Sequence, residues 1–120
     1  MNKQTRWITI GNKNDLIPNS GVGARLGGEQ VALFWIPELD NRVFAINNYC
    51  PFSGVHIIAR GIIGDIAGEP VVASPLYKQH FSLIDGRCIE KPKVILNIWE
   101  VRLNGNEIQV LSSTAEEMAA

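Results

Sequence analysis

The sequence predicts an all-β domain, an antiparallel β-sandwich or small barrel. Three observations lead there. Apolar and β-branched residues recur with period two in short runs, the pattern of strands with one buried face. Turn signals separate those runs: Gly27-Gly28, Asp40-Asn41, Asp85-Gly86 and Asn104-Gly105. No stretch carries a long 3.6-residue apolar period, so no long helix competes.

Taken in order, residues 7–10 (Trp7-Ile8-Thr9-Ile10) read as a first strand that Gly11 stops. Asn14-Asp15-Leu16-Ile17-Pro18 holds a capping residue and then a proline, room for at most a turn of helix. Residues 21–26 and 29–36 form a hairpin across Gly27-Gly28. Its second strand, Val31-Ala32-Leu33-Phe34-Trp35-Ile36, is apolar throughout and so should be covered on both faces. Gly21-Val22-Gly23 is not a dinucleotide loop. That fingerprint needs a preceding strand and a following helix, and Gly27 comes one residue too late.

Residues 42–46 are a strand that runs through Asn47-Asn48-Tyr49 into a loop. Residues 55–59 show no clear period, and 61–66 are a glycine-punctuated edge. Residues 70–74 form a strand that feeds a second loop. Residues 80–84 form the next, with Asp85-Gly86 as a type I′ turn and Arg87-Cys88-Ile89 pairing back. Residues 90–97 are irregular around Pro92. Residues 98–103 and 107–111 make a last hairpin across Asn104-Gly105. Residues 1–111 are expected to form a single domain, and residues 112–120 a frayed C-terminal tail.

The 120 residues suit one domain with one core, and 46% hydrophobic with 19% charged residues is a globular balance. The net charge of -1 and pI of about 6.1 carry no nucleic-acid footprint. No apolar run is long enough to span a bilayer, and Met1 to Arg6 lacks the apolar stretch of a secretory signal. A cytoplasmic location is the expectation. Cys50 and Cys88 are then reduced thiols rather than a disulfide.

Two stretches organise the chain: Cys50-Pro51-Phe52-Ser53-Gly54 and Ser74-Pro75-Leu76-Tyr77-Lys78-Gln79-His80-Phe81. They resemble the two cluster-binding loops of a Rieske iron–sulfur domain, which read C-x-H and C-x-x-H-G and place two Cys and two His on a [2Fe–2S] cluster. The frame is kept, but three of the four ligands are not. Phe52 stands at the first His position and has no lone pair to give. Ser74 stands at the second Cys position, and its hydroxyl does not ionise as a thiolate does. Tyr77 stands at the second His position and is a hard oxygen donor. Lys78 replaces the glycine that lets backbone approach the cluster. Only Cys50 remains, and one thiolate cannot hold the cluster. The resemblance implies a Rieske-like iron–sulfur-domain fold without the [2Fe–2S] cluster.

Cys50, His56, His80 and Cys88 lack the closely paired spacing of a zinc site. Cys50 as a nucleophile would need a base, and nothing in the sequence fixes His56 beside it.

A longer resemblance covers residues 15–110. Gly21-Val22-Gly23-Ala24, Gln30-Val31-Ala32-Leu33-Phe34, Pro51-Phe52-Ser53-Gly54, Arg60-Gly61-Ile62 and above all the unbroken run from Gly68 to Leu83 resemble the small subunits of cytoplasmic NAD(P)H-dependent nitrite reductases. The resemblance implies an accessory, non-redox subunit without metal, cofactor or catalytic residue of its own. It implies a large partner subunit carrying flavin (FAD), sirohaem and an iron–sulfur cluster, which reduces nitrite to ammonium. The rival readings are a free-standing Rieske-type ferredoxin, which the ligand set disfavours, and a small-molecule-binding domain on the same scaffold. At the tip formed by the two loops, Pro51, Phe52, Tyr77, Lys78 and His80 are the candidate partner interface. Phe52 and Tyr77 could equally fill the space a cluster would take. A partner site near Trp99 is the alternative location.

Overall fold

The computed structural model describes residues 6–76 and 78–112. Twelve strands are found among them: β1 (Arg6–Asn12), β2 (Ser20–Leu26), β3 (Glu29–Ile36), β4 (Arg42–Asn47), β5 (Tyr49–Cys50), β6 (Val55–His56), β7 (Ile62–Ile66), β8 (Glu69–Ala73), β9 (His80–Ser82), β10 (Ile98–Trp99), β11 (Val101–Asn104) and β12 (Glu107–Ser112). Two 3-10 turns, Lys13–Asp15 and Ile58–Arg60, are the helical elements among the described residues, and no helix there could cross a membrane.

β3 lies inside a central antiparallel sheet of order β10-β4-β3-β2. Its side chains alternate, and both faces are buried, as the unbroken apolar run requires. Leu33 and Val31 face one core with Leu26, Val43, Ala45, Trp99, Ile108 and Val110. Ala32, Phe34 and Ile36 face the other, with Phe44, Ile46, Cys50, Ile58, Val72 and Phe81. The first core is closed by the β1-β12-β11 sheet. The second is closed by the β7-β8-β9 sheet and the loops around it. The fold is the expected all-β antiparallel architecture.

Four local readings change. Gly11 does not end β1: the strand continues to Asn12 through a register shift between Thr9 and Gly11 against β12. An inserted residue bends the strand without breaking the pairing. Residues 98–103 are two strands, because the chain changes sheets at Glu100. Ile98 and Trp99 pair with β4, whereas Val101 to Asn104 pair with β12. Asp85-Gly86 is not a type I′ turn, since Gly86 alone of the two has a positive φ, 81°. The loop closes instead by Gly86 N donating to Ser82 O, and a Cβ on Gly86 would meet Leu96 O at 2.0 Å. Ser112 belongs to β12 and is buried opposite Arg6; residues 113–120 lie outside the described residues.

Candidate functional site

Three loops meet at one end of the domain. Loop 1, residues 51–54, joins β5 to β6; Gly54 N donates to Cys50 O at 2.8 Å, with Gly54 at φ 73°. Loop 2, residues 74–79, joins β8 to β9; Ser74 N donates to Gln79 O and Lys78 N to Ser74 O. Loop 3, residues 89–94, is held by Ile89 N donating to His80 O, Cys88 N to Val94 O and Val94 N to Lys91 O.

Side chains tie the loops to one another and to the start of β9. Cys50 Sγ and Ser74 Oγ lie 3.5 Å apart in the buried seam between loops 1 and 2. The Lys91 ammonium sits 5.5 Å from the centre of the Phe52 ring, joining loop 3 to loop 1. Glu90 joins loop 3 to the start of β9: one carboxylate oxygen accepts from His80 N at 2.8 Å, and the other lies 2.6 Å from His80 Nδ1. Cys88 Sγ also donates to Glu90.

Beneath loop 1, buried Asn48 sets the geometry. Its backbone N–H and side-chain amide both donate to Gln30, its Oδ1 accepts from Ala59 N at 2.7 Å, and its carbonyl accepts from Ile58 N. Asn48 thus clamps the 3-10 turn after β6 onto the central sheet. Gly21 makes room for that turn: a Cβ there would meet Ala59 O at 2.2 Å. Its role is close backbone approach within a strand, not phosphate binding. Sequence reasoning missed Asn48, since an Asn before a loop reads as turn chemistry until its long-range partners are known.

The expected site residues fall into distinct environments. Cys50 and Ser74 are buried. Phe52 turns inward against Phe81, with ring centres 6.1 Å apart, and packs on the loop-side core. Pro51 and Lys78 are exposed. His80 is half-buried, with Nδ1 engaged by Glu90. Tyr77 lies outside the described residues. Lys78 has a positive φ of 60°. That left-handed conformation is costly for a side chain with a Cβ.

Burial opposes ionisation of the Cys50 thiol, but the Ser53 and Ser74 hydroxyls and the N–H groups of Ser53 and Phe52 outweigh it, holding the thiol below its ordinary value. Ser53 Oγ is buried and completes no hydrogen bond, so it acts on Cys50 as a nearby dipole rather than a formal partner. For Glu90, burial again opposes ionisation. The His80 N–H, its ring and its charge prevail together with Glu90's own N–H, keeping the carboxyl below the usual range.

The donor set does not fit a [2Fe–2S] cluster. Cys50 supplies one thiolate, Phe52 puts hydrocarbon where a nitrogen is needed, and Ser74 offers a neutral hydroxyl. Cys50, His56, His80 and Cys88 do not converge either: among the described residues no group of three or more His, Cys, Asp or Glu is placed to hold a metal. The ring of His56 instead meets Tyr49, and Cys50 and Cys88 are both free and buried.

The chain matches the Rieske-like [2Fe-2S] domain family over residues 6–111. It is 40% identical over 106 residues to the nitrite reductase (NADH) small subunit of Salmonella typhimurium, covering 88% of this chain and 97% of that protein. The chain belongs to the family of nitrite reductase small subunits. The solution structure of the Escherichia coli protein NirD superposes with a TM-score of 0.79 at 36% identity, covering 92% of this chain and all of that one. The nitrite reductase [NAD(P)H] large subunit of Klebsiella oxytoca contains a 104-residue stretch 36% identical to 87% of this chain; that stretch is 11% of the larger protein. Within the nitrite reductase family, the same domain therefore occurs both as a separate chain and inside a large subunit.

Proposed function

We infer that this chain is the accessory, non-redox small subunit of a cytoplasmic NAD(P)H-dependent nitrite reductase and docks through its three-loop tip. The large partner would carry FAD, sirohaem and an iron–sulfur cluster, and move electrons from NAD(P)H to nitrite without routing them through this chain. The observation that carries the reading is the state of the tip. The loops keep their mutual packing at Cys50 and Ser74, while Phe52 fills the interior in place of a ligand. An end so maintained without a donor set is built for contact rather than electron transfer. Pro51, Leu76 and Lys78 are its outward residues, with Leu76 58% exposed. The domain's occurrence within a large subunit in Klebsiella oxytoca supports that partner.

A photo-crosslinking residue at Leu76, mixed with the purified large subunit, should capture it, whereas one at exposed Leu103, on the opposite sheet, should not. Capture at Leu103 and not at Leu76 would place the partner on the face near Trp99 and overturn the assignment.

A further inference from the structure

Loops 2 and 3 carry exposed positive charge. Lys78 stands on loop 2, Lys91 and Lys93 on loop 3, and all three are exposed. Among the described residues, none of them forms a salt bridge. The one carboxylate of loop 3, Glu90, is already engaged by His80. The opposite end of β8 has the opposite sign. Glu38 and Asp65 line one cleft with Leu39 and Pro70, Asp40 and Arg42 line the adjoining one, and Glu69 and Asp85 share Arg87, so carboxylates outnumber cations there. Five residue steps separate Glu69 from the start of loop 2 at Ser74, on the order of 17 Å. A chain of net charge -1 thus carries a dipole along the β7-β8 hairpin, with its positive pole at the tip.

The position of Lys91 ties this charge to the missing ligand. The Phe52 ring, at the position of a would-be histidine, offers its face to the ammonium. An aromatic face attracts a cation and restricts where it can go. The residue at the first would-be histidine position therefore also orients a surface cation.

We propose that the tip is an electrostatic docking surface, with Lys78, Lys91 and Lys93 meeting a carboxylate-rich patch on the large subunit. The proposal rests on the docking reading above and adds the chemistry of the contact. A protein surface fits better than a small anion. The lysines stand on open loops among exposed Pro51, Pro75, Leu76 and Pro92, a mix of apolar and charged groups suited to an interface. Such charge steers encounter and fixes orientation, and salt weakens it.

The test measures binding of the full-length chain to the separately purified large subunit at low and high sodium chloride, with melting curves to verify folding. The expected results are weakening of wild-type binding by about tenfold at high salt, and a similar loss at low salt in the Lys91→Glu/Lys93→Glu variant, whose own salt dependence flattens. Lys13→Glu, on the exposed 3-10 turn at the base, should change binding by less than about twofold. Unchanged, salt-insensitive binding of the double variant, with crosslinking from Leu76 retained, would overturn the electrostatic proposal and leave tip docking standing. Equal losses in the double variant and Lys13→Glu would also overturn it, since the charge would then act without regard to place. Absence of both crosslinking and charge effects would overturn the two together.

Discussion

On one face of the central sheet, Leu33, Val43 and Ala45 meet Ile108 and Val110 from an antiparallel partner sheet. On the other face, Phe34, Phe44 and Ile46 meet Cys50, Ile58 and Phe81, which come from short strands, a 3-10 turn and loop ends. The first face is closed by strand ladders, and side-chain hydrogen bonds among Thr9, Arg102, Glu107 and Gln109 join its three strands. The second depends on Asn48, Glu90 and the Cys50–Ser74 contact, and it holds buried Ser53 Oγ and Gln79 Oε1 without hydrogen-bond partners; positive φ occurs there at Lys78 but also away from it at Asn19, Asp40, Asn41 and Ala67. Strain and unpaired polar groups persist where the surrounding structure over-determines them, often at functional surfaces. The contrast separates a face closed by strand ladders from a tip held together by loops, the end proposed above to meet a partner.

The largest effect should come from either core alike. Phe81→Ala should cost about 3–5 kcal/mol and Ile108→Ala about 2–5 kcal/mol in urea unfolding, since both side chains are fully buried. A loss under about 1 kcal/mol at Phe81 would mean the loop side contributes little to folding, and the two regions would differ more than described.

Phe52→Ala sharpens the comparison at the tip. With the ring half-buried against Phe81, the expected loss is about 1–2 kcal/mol. No loss would show that the ring does not substitute for a ligand in holding loop 1.

Lys78→Gly should raise stability by up to about 1 kcal/mol, because glycine adopts the left-handed conformation without penalty. Destabilisation in the same unfolding assay would remove the case for strain at this position.

The smallest effect is one of pH. The folded-state pKa of Glu90 is depressed, so its contribution is present above the unfolded value and is lost as pH falls through the folded value. Thermal unfolding between pH 6 and 3 should show Glu90→Gln approaching wild type as the pH drops. A gap that widens on acidification would reverse the sign.

Much of the base was legible because its signals are local. Period-two runs and Gly-Gly or Asn-Gly turns gave the β2-β3 and β11-β12 hairpins, and the unbroken run in β3 gave a strand buried on both faces. What the pattern could not show was the change of partner at Glu100, since alternation continues through a strand that switches sheets. At the tip, residue identities were enough to reveal a ligand frame without its ligands. Loop 3 read only as irregular, because its place depends on long-range contacts from Lys91 to Phe52 and from Glu90 to His80. The lysine cluster was hidden for the same reason: Lys78 and Lys91 are far apart in sequence and share an end only through the fold.

The division between base and tip is tested most directly by hydrogen exchange on this chain, alone and bound to the large subunit. Added protection is expected at residues 50–54, 74–79 and 89–94, with β1, β11 and β12 unchanged. Protection confined to β1, β11, β12 and the Trp99 region, with the three loops unaffected, would contradict it.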